Sequence, residues 1–485
     1  MCAATPPAGQ VSSSRLVHVL GEWRRDGARQ GAADLSAAIE LQIVDGRLPS
    51  GTRLPAEREI ARVLGVSRTL VTTALQRLRE RDLLASRQGS GTWITAGANG
   101  SCTPATRTGP ELIDFARASP PGASGVLEAF DRARAALPAA LADHGYSDRG
   151  LPELRERIAE RYTARGLPTD PEQIVVTNGA HHAFVLTLRT LAGPGDRVLV
   201  EQPTYPNVLD AIRAAHLIGV PVPVDPVDGW DVPGIEAALR QSAPRLAYFI
   251  TDFHNPTGLR LDSAGRGHLG AALRAQRTPA VVDETFAELD LSEGPREAPP
   301  PLAAFAGEWA VTIGSAAKTY WAGLRLGWIR APASMVARIL SARSGLDLGS
   351  PIIDQLTLAE LLSDPQPLLS RRRADMRGRR DVLVEQLRAA CPEWSFRVPP
   401  GGLSLWCQLP EAMSTRLAVA AGDEGLRVAP GPRFGVHGGL ERWLRVPYTL
   451  PAARLTEAAR RLGVAAAAVR DSPTVAADAL NVPVS

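Results

Sequence analysis

Lysine is nearly missing from this chain. Of 54 residues that are Lys or Arg, the single Lys is Lys318. A guanidinium keeps its proton inside a protein and cannot attack a carbonyl, so chemistry that needs a neutral amine, a Schiff base above all, has one side chain available. An Arg-biased composition can also leave one Lys anywhere by chance. Cysteine is scarce too: Cys2, Cys102, Cys391 and Cys407 lie far apart without C-x-x-C spacing. That argues against a zinc ribbon, another metal site or a disulfide scaffold, and fits a reducing cytoplasm. No apolar run approaches the roughly 18 residues of a membrane span, and the first 30 residues lack the apolar stretch of a signal peptide. Bulk charge of one sign is also absent. A net charge of +3 leaves any nucleic-acid site to a local cluster of Arg.

The 485 residues, 45% of them hydrophobic, suffice for a large core and at least one small domain. Residues 1–14, rich in Ala, Pro and Ser, read as a disordered leader. Leu16, Val19, Leu20 and Trp23 predict an added helix over Arg15–Arg25. From Asp34, Leu35, Ile39 and Ile43 share one helical face that ends at Gly46. Pro55 is expected to open a second helix within its first turn. After Leu64-Gly65-Val66, Ser67 caps a third helix from Arg68 to about Arg81, with Val71, Leu75 and Leu78 inward. Helix, Gly-containing turn and helix make a helix-turn-helix, and Leu83 to Ile94, two short strands about Gly89-Ser90-Gly91, make a wing. Between Arg53 and Arg87 eight Arg stand against four acids, a usable phosphate-binding face; a solvated helical pair that binds protein is the alternative. Residues 34–95 resemble the winged helix of GntR-type bacterial regulators, through L-P-x-E-R-E-x-A-x-x-L-G-V-S-R and G-S-G-T. The resemblance implies DNA contacts from Arg58, Ser67, Arg68, Thr69, Thr72 and Gly89, within a winged-helix domain spanning 15–95.

Residues 96–110 read as a flexible linker. Beyond them, helical patterns alternate with short runs of Val, Leu and Ile at 174–177, 197–201, 246–250, 280–283 and 310–314. This predicts a mostly parallel α/β sheet with ligands at the carboxyl ends of its strands. Polar residues at those ends therefore draw the functional reading. Asn178-Gly179-Ala180-His181-His182 leads into a helix from Ala183 to Leu191, so bare amides there can hold a phosphate. The lack of a Gly-x-Gly pair or a Gly-Lys-Ser ending speaks against a dinucleotide or ATP loop. Tyr205, just after a strand, suits stacking on a flat ring; a core or turn Tyr is the bland alternative. Asn255 can donate to a phenolate oxygen, or belong to a plain N-P-T-G loop. Asp283 can keep a pyridine nitrogen protonated, or cap a helix.

With Ser315-Ala316-Ala317-Lys318 and Gly323-Leu324-Arg325-Leu326-Gly327, these segments resemble in order and spacing the pyridoxal-phosphate (PLP) enzymes of the aspartate aminotransferase fold. The resemblance covers residues 111 to about 465, in a domain taken to run to 470 before a disordered tail at 471–485. It implies that Lys318 forms the Schiff base with PLP, Asp283 pairs with the pyridine nitrogen, Asn255 contacts the ring oxygen and Tyr205 stacks on the ring. Gly179, Ala180, His181, Ser315 and Arg325 would hold the phosphate. Tyr146 would cross to the partner's phosphate in a homodimer, expected to be domain-swapped. A small C-terminal α+β subdomain would supply Arg445 to clamp a substrate carboxylate; an exposed Arg on a strand edge is the alternative.

One departure matters. Relatives carry a Tyr two or three residues after the pyridine-pairing Asp, where this chain reads Asp283-Glu284-Thr285-Phe286, and Phe286 cannot donate. The Arg run at 371–380 reads as a solvated helical face, with an added DNA-phosphate contact as the alternative. A winged helix linked to an aminotransferase-like domain resembles the MocR subgroup of GntR regulators. The expected function is a PLP-dependent regulator that binds operator DNA and senses PLP, an amine or an amino acid. A working aminotransferase with a fused winged helix is the alternative.

Overall fold

The computed structural model describes residues 9–21, 23, 31–44, 47–87, 91–95, 112–294 and 298–470. The first eight residues of the expected leader, Gly89 of the wing, the linker 96–110 and the tail 471–485 lie outside the described residues.

Order begins earlier than expected. Val11 is buried and donates its N–H to the carbonyl of Arg53 at 3.0 Å, and Ser12 caps helix α1 (Ser13–Leu20) by accepting from the Arg15 amide at 3.2 Å. The leader reading of 9–14 is thus corrected, and α1 stops at Gly21 (φ 57°) rather than Arg25, because Gly tolerates that backbone turn at little cost. Trp23 still joins Leu16 and Leu20 in the core. Helix α2 (Gly31–Val44) is followed by α3 (Glu57–Leu64), whose N-cap is Ala56 in an extended conformation. Pro55 therefore precedes the helix instead of opening it. Gly65 (φ 63°) closes α3, Ser67 caps α4 (Arg68–Glu80) by accepting from the Leu70 amide, and antiparallel strands β1 (Leu84–Arg87) and β2 (Gly91–Ile94) form the wing. Val71, Ala74, Leu75 and Leu78 of α4 pack on Leu35 and Ile39 of α2 and Ile60 of α3.

In the large domain, β3 (Ile113–Asp114) is followed by β4 (Ile174–Thr177), β5 (Arg197–Gln202), β6 (Ile218–Asp225), β7 (Gly229–Trp230), β8 (Leu246–Phe249), β9 (Ala280–Asp283), β10 (Ala310–Ser315) and β11 (Gly327–Arg330). Eight of these form one sheet in the order β4-β11-β10-β9-β8-β5-β6-β7. Neighbours from β10 to β6 run parallel, while β11 is antiparallel to both β10 and β4. Strands β4, β8, β9 and β10 are buried along their whole length, as continuous apolar runs covered on both faces require. The remaining strands, β12 (Ser404–Gln408), β13 (Leu426–Arg427), β14 (Ala429–Pro430) and β15 (Trp443–Pro447), belong to the small subdomain, where β15 lies between β12 and β14.

The Arg run does not behave as expected. It lies in the helix Gln366–Ala390, but Arg372 is buried and donates to the carbonyls of Thr319, Tyr320 and Pro121 at 2.7–3.0 Å. Arg373, Arg377, Arg379 and Arg380 likewise reach the carbonyls of Glu288, Leu291, Ser292, Thr449 and Pro399. These guanidiniums are engaged with backbone carbonyls of the large domain and the small subdomain, which removes them from both a solvated face and a DNA contact. Among the described residues, no helix is long and apolar enough to cross a membrane, and no cluster of His, Cys, Asp and Glu could hold a metal.

Candidate functional site

Strand register gathers the polar ends. Ser315, the last residue of β10, pairs with Gly327 at the start of β11, and Gly327 pairs with Thr177 at the end of β4. One strand over, Asp283 ends β9 opposite Ile313. A Cβ on Gly327 would stand 2.6 Å from the Ala180 nitrogen and from the Gly179 carbonyl carbon, so only Gly lets β11 run against the start of the helix Ala180–Leu191. That helix begins three residues earlier than the sequence suggested, directly after Gly179 (φ 91°). Its first amides sit beside Arg325, whose backbone is left-handed (φ 51°) and whose guanidinium lies 3.5 Å from where a Gly179 Cβ would be. Ser315 Oγ accepts from the Ala317 amide at 3.1 Å. Burial pushes the His181 imidazole down; the Asp210 and Asp283 charges oppose this and Arg325 adds to it. Amides at a helix start, a hydroxyl and a guanidinium make an anion cradle.

Lys318 sits beside it in a π-helical turn, Ala317–Trp321, whose Thr319 and Tyr320 carbonyls Arg372 holds. Its Nζ donates to the Ala118 carbonyl at 2.7 Å. Burial, reinforced by the Arg445 and Arg325 charges and opposed by Asp283, lowers its ammonium from 10.5 to about 8. The amine is therefore poised to lose its proton near neutrality. Asp283 is buried, and both its oxygens have donors: Tyr248 Oη at 2.8 Å to Oδ2 and the Thr285 amide at 2.9 Å to Oδ1. Burial raises its carboxyl, with the Glu201 charge adding and those donors opposing. Asp283 leads into a turn at 285–288 and not into a helix, which disposes of the capping alternative. Tyr205 is the N-cap of the helix Pro206–Ala214; burial raises its phenol, on which the Asp283, Arg445 and Arg325 charges also act.

Arg445 lies on the central strand of the small sheet and is buried, so the exposed-edge alternative fails. It donates to Asn255 Oδ1 at 3.4 Å and to the Ala116 carbonyl, and packs 5.1 Å over the Phe434 ring. Among the described residues its buried Nε has no hydrogen-bond partner. Burial pushes its guanidinium down to about 10, still charged at neutral pH. Phe286 is buried among apolar residues of the small subdomain. Tyr146 is exposed, with its amide donating to His144 Nδ1 at 3.0 Å.

The described residues proposed for DNA contact are all exposed: Arg58 on α3, and Ser67, Arg68, Thr69 and Thr72 at the start of α4. Two of the hydroxyls have structural partners, since Ser67 caps α4 and Thr72 donates to Glu57 at 2.8 Å. Burial would raise the Glu57 carboxyl, but hydrogen bonds from Thr72 and Arg79 and the charges of Arg79 and Arg68 outweigh it and hold it low. Arg58, Arg68 and Thr69 are left as the more open candidates.

Sequence reasoning missed three things. Tyr248 was legible as a polar tip in the buried Leu246-Ala247-Tyr248-Phe249 run, since a buried phenol needs a partner. Asp252, Arg266 and Glu284, all buried, form an ion network with the half-buried Arg260 and Arg165 just past the ends of β8 and β9, with Asp252–Arg266 at 2.8 Å and Arg165–Glu284 at 2.5 Å. The third is a contact between domains. Arg47, after α2, donates to the Pro432 carbonyl at 2.7 Å, and Val419 of the helix Ser414–Asp423 enters the winged-helix core. A cleft of about 280 Å³ between Gly21, Gln42 and Arg47 on one side and Thr415, Arg433 and Glu441 on the other flanks that bond. Pro432 belongs to the short helix Gly431–Phe434, so the ring under Arg445 and the carbonyl held by Arg47 are two residues apart.

Residues 110–462 match the model of the aminotransferase class I and II family, and residues 32–94 that of the bacterial regulatory proteins of the gntR family. Among similar proteins is the uncharacterized HTH-type transcriptional regulator YdcR of Escherichia coli, 28% identical over 85% of this chain and 92% of its own length. The HTH-type transcriptional regulator TauR of Rhodobacter capsulatus is 30% identical over 81% and 87%. Among solved structures, the alpha-aminoadipate aminotransferase LysN of Thermus thermophilus superposes with a TM-score of 0.67 at 28% identity, covering 74% of this chain and 93% of its own.

Proposed function

Because the chain belongs to the aminotransferase class I and II family and carries a gntR-family DNA-binding domain ahead of it, we propose that it is a PLP-dependent transcriptional regulator whose large domain senses an amine or amino acid. Family membership implies PLP dependence. Three features of the site support the fit: the Gly179–Ala180 cradle, which a Cβ on Gly327 would crowd, the buried Nε of Arg445 without a partner among the described residues, and the lone amine of Lys318 among charged neighbours. Bound there, the cofactor supplies a carbonyl for an amine and a ring that withdraws electrons from it. Lys318 would hold it covalently, with Gly179, Ala180, His181, Ser315 and Arg325 on the phosphate. Asp283 would keep a ring nitrogen charged, Asn255 would face the ring oxygen and Tyr205 the ring plane. Arg445 would bind an effector carboxylate.

The observation that carries the regulatory reading is the path from Arg445 to the winged helix. A carboxylate that draws Arg445 away from Asn255 and Phe434 disturbs a four-residue turn whose Pro432 is tied to Arg47. The ligand then acts on DNA binding only through its different affinity for the two domain arrangements. The chain acts as a homodimer, with exposed Tyr146 reaching the neighbouring phosphate site. In a domain-swapped dimer the Arg47–Pro432 contact forms between subunits instead of within one chain. Titration of operator DNA binding with PLP and a panel of amino acids tests the proposal; DNA affinity indifferent to all of them refutes it.

Burial that lowers the Lys318 ammonium to about 8 also suits it to proton transfer, which allows a second reading, a working aminotransferase. Phe286, in place of a phenol donor, argues for slow turnover. Conversion of bound PLP to its amine form, followed with keto-acid acceptors, separates the two.

A further inference from the structure

Tyr248 has no part in the roles assigned above, yet it is fully buried on β8 and its hydroxyl ends on Asp283. A buried phenol must find an acceptor, and the alternative is close by: the carboxylate of Glu201, also fully buried on β5. That carboxylate is already engaged, its Oε1 accepting from Trp230 Nε1 at 2.5 Å and its Oε2 from the Ile250 amide at 2.8 Å. The phenol is held from two sides. Tyr248 pairs with Val281 in the parallel β8–β9 ladder, and the Phe184 ring meets it edge-on at 5.2 Å. Asp283 thus receives one donor from its own chain direction, the Thr285 amide, and one from the neighbouring strand.

We propose that Tyr248 is a positioning residue for the cofactor's ring nitrogen: its hydroxyl fixes the Asp283 carboxylate in orientation and keeps it ionised to face that nitrogen. The inference rests on the PLP reading of the site. Physically, a carboxylate buried beside a second buried carboxylate tends to take up a proton, and a neutral acid cannot hold a pyridinium. A donated hydrogen bond favours the charged form, and one from a strand-mounted phenol also removes the side chain's rotational freedom. In a chain that lacks a Tyr near Phe286 to donate to the cofactor's oxygen, control of the ring's electronics shifts to this nitrogen edge.

The test uses the full-length protein reconstituted with PLP. Tyr248→Phe removes one oxygen, and retention of fold is checked by thermal melting. The variant is expected to bind PLP about tenfold more weakly, with a displaced absorbance band for the bound cofactor, as loss of a hydrogen bond to a charged group predicts. In an Asp283→Asn background the same substitution should have no further effect on either readout, because the group it serves is gone. Equal effects in both backgrounds overturn the proposal and assign Tyr248 to packing alone. Should Tyr248→Phe fail to fold, fluorotyrosine placed at position 248 keeps the shape and makes the phenol a stronger donor. It should then tighten PLP binding and move the band the opposite way, and an unchanged band refutes the inference. Failure of the wild-type chain to bind PLP at all would instead refute the cofactor reading, so the two failures are distinct.

Discussion

The guanidinium of Arg47 and the carbonyl of Pro432, 385 residues apart in sequence, are joined by a 2.7 Å hydrogen bond. This bond ties the winged helix to a turn whose Phe434 underlies Arg445. Four predictions follow the path between the two ends of the chain.

Arg47→Ala should leave PLP binding and basal DNA affinity intact while removing the effector's influence on DNA. Loss of the hydrogen bond to Pro432 costs about 1 kcal/mol, which is too small to unfold a domain. Fluorescence anisotropy of labelled operator, with and without effector, reads the difference. A variant that still responds fully would show that coupling runs elsewhere.

Covalent capture of PLP should accelerate as pH rises through about 8, well below the usual 10.5 of a lysine. Below that point Lys318 is protonated and inert, and above it the amine is neutral. The same depression means that the unfolded chain holds the extra proton between about 8 and 10.5, so this group's contribution to stability rises with pH across that window. Stopped-flow absorbance after PLP addition, run at several pH values, measures the first effect. Lys318→Ala should abolish capture at every pH.

Gly327→Ala places a methyl 2.6 Å from backbone atoms of Gly179 and Ala180. Backbone cannot yield as a side-chain tip can, so a destabilisation of about 1–3 kcal/mol is expected. The phosphate cradle should open at the same time, and PLP affinity should fall along with the melting temperature. A normal melting curve with unchanged PLP affinity would contradict the close approach of β11 to the helix start.

Arg68→Ala should weaken binding to all DNA sequences and lower the slope of log affinity against log salt by about 0.9, the signature of one lost phosphate contact. Ser67→Ala should act differently: it removes the α4 cap, costing about 1 kcal/mol of stability, and leaves the salt slope alone. Binding isotherms at several salt concentrations, beside denaturant titrations, distinguish the two.

Much of this was legible from residue order. Helix periodicity, Ser67 and Gly65 placed the helix-turn-helix, and apolar runs ending in Thr177 and Asp283 placed two strand ends, while the run to Gly314 stopped one residue short of the strand end at Ser315. Local rules sufficed there, because caps, turns and strand faces depend on residues a few positions apart. They failed where a long side chain chose a distant partner. The Arg372–Arg380 segment looked like a solvated face because its charge was visible and the carbonyls waiting for it were not. Gln10 and Val11 looked disordered because their partner, Arg53, is more than forty residues away.

The sequence by itself determined the two-part plan and the chemistry available to it: one amine, in a block of residues that no Arg could replace, behind a winged helix. Only the tertiary structure decided which charges surround that amine, that the Tyr248 phenol ends on Asp283, and that Arg445 connects to Arg47 through one short turn. The physical reason is that burial and hydrogen-bond partnership are properties of position in space. The same residue types, placed elsewhere in the fold, would lie in water with ordinary acidities and no partners.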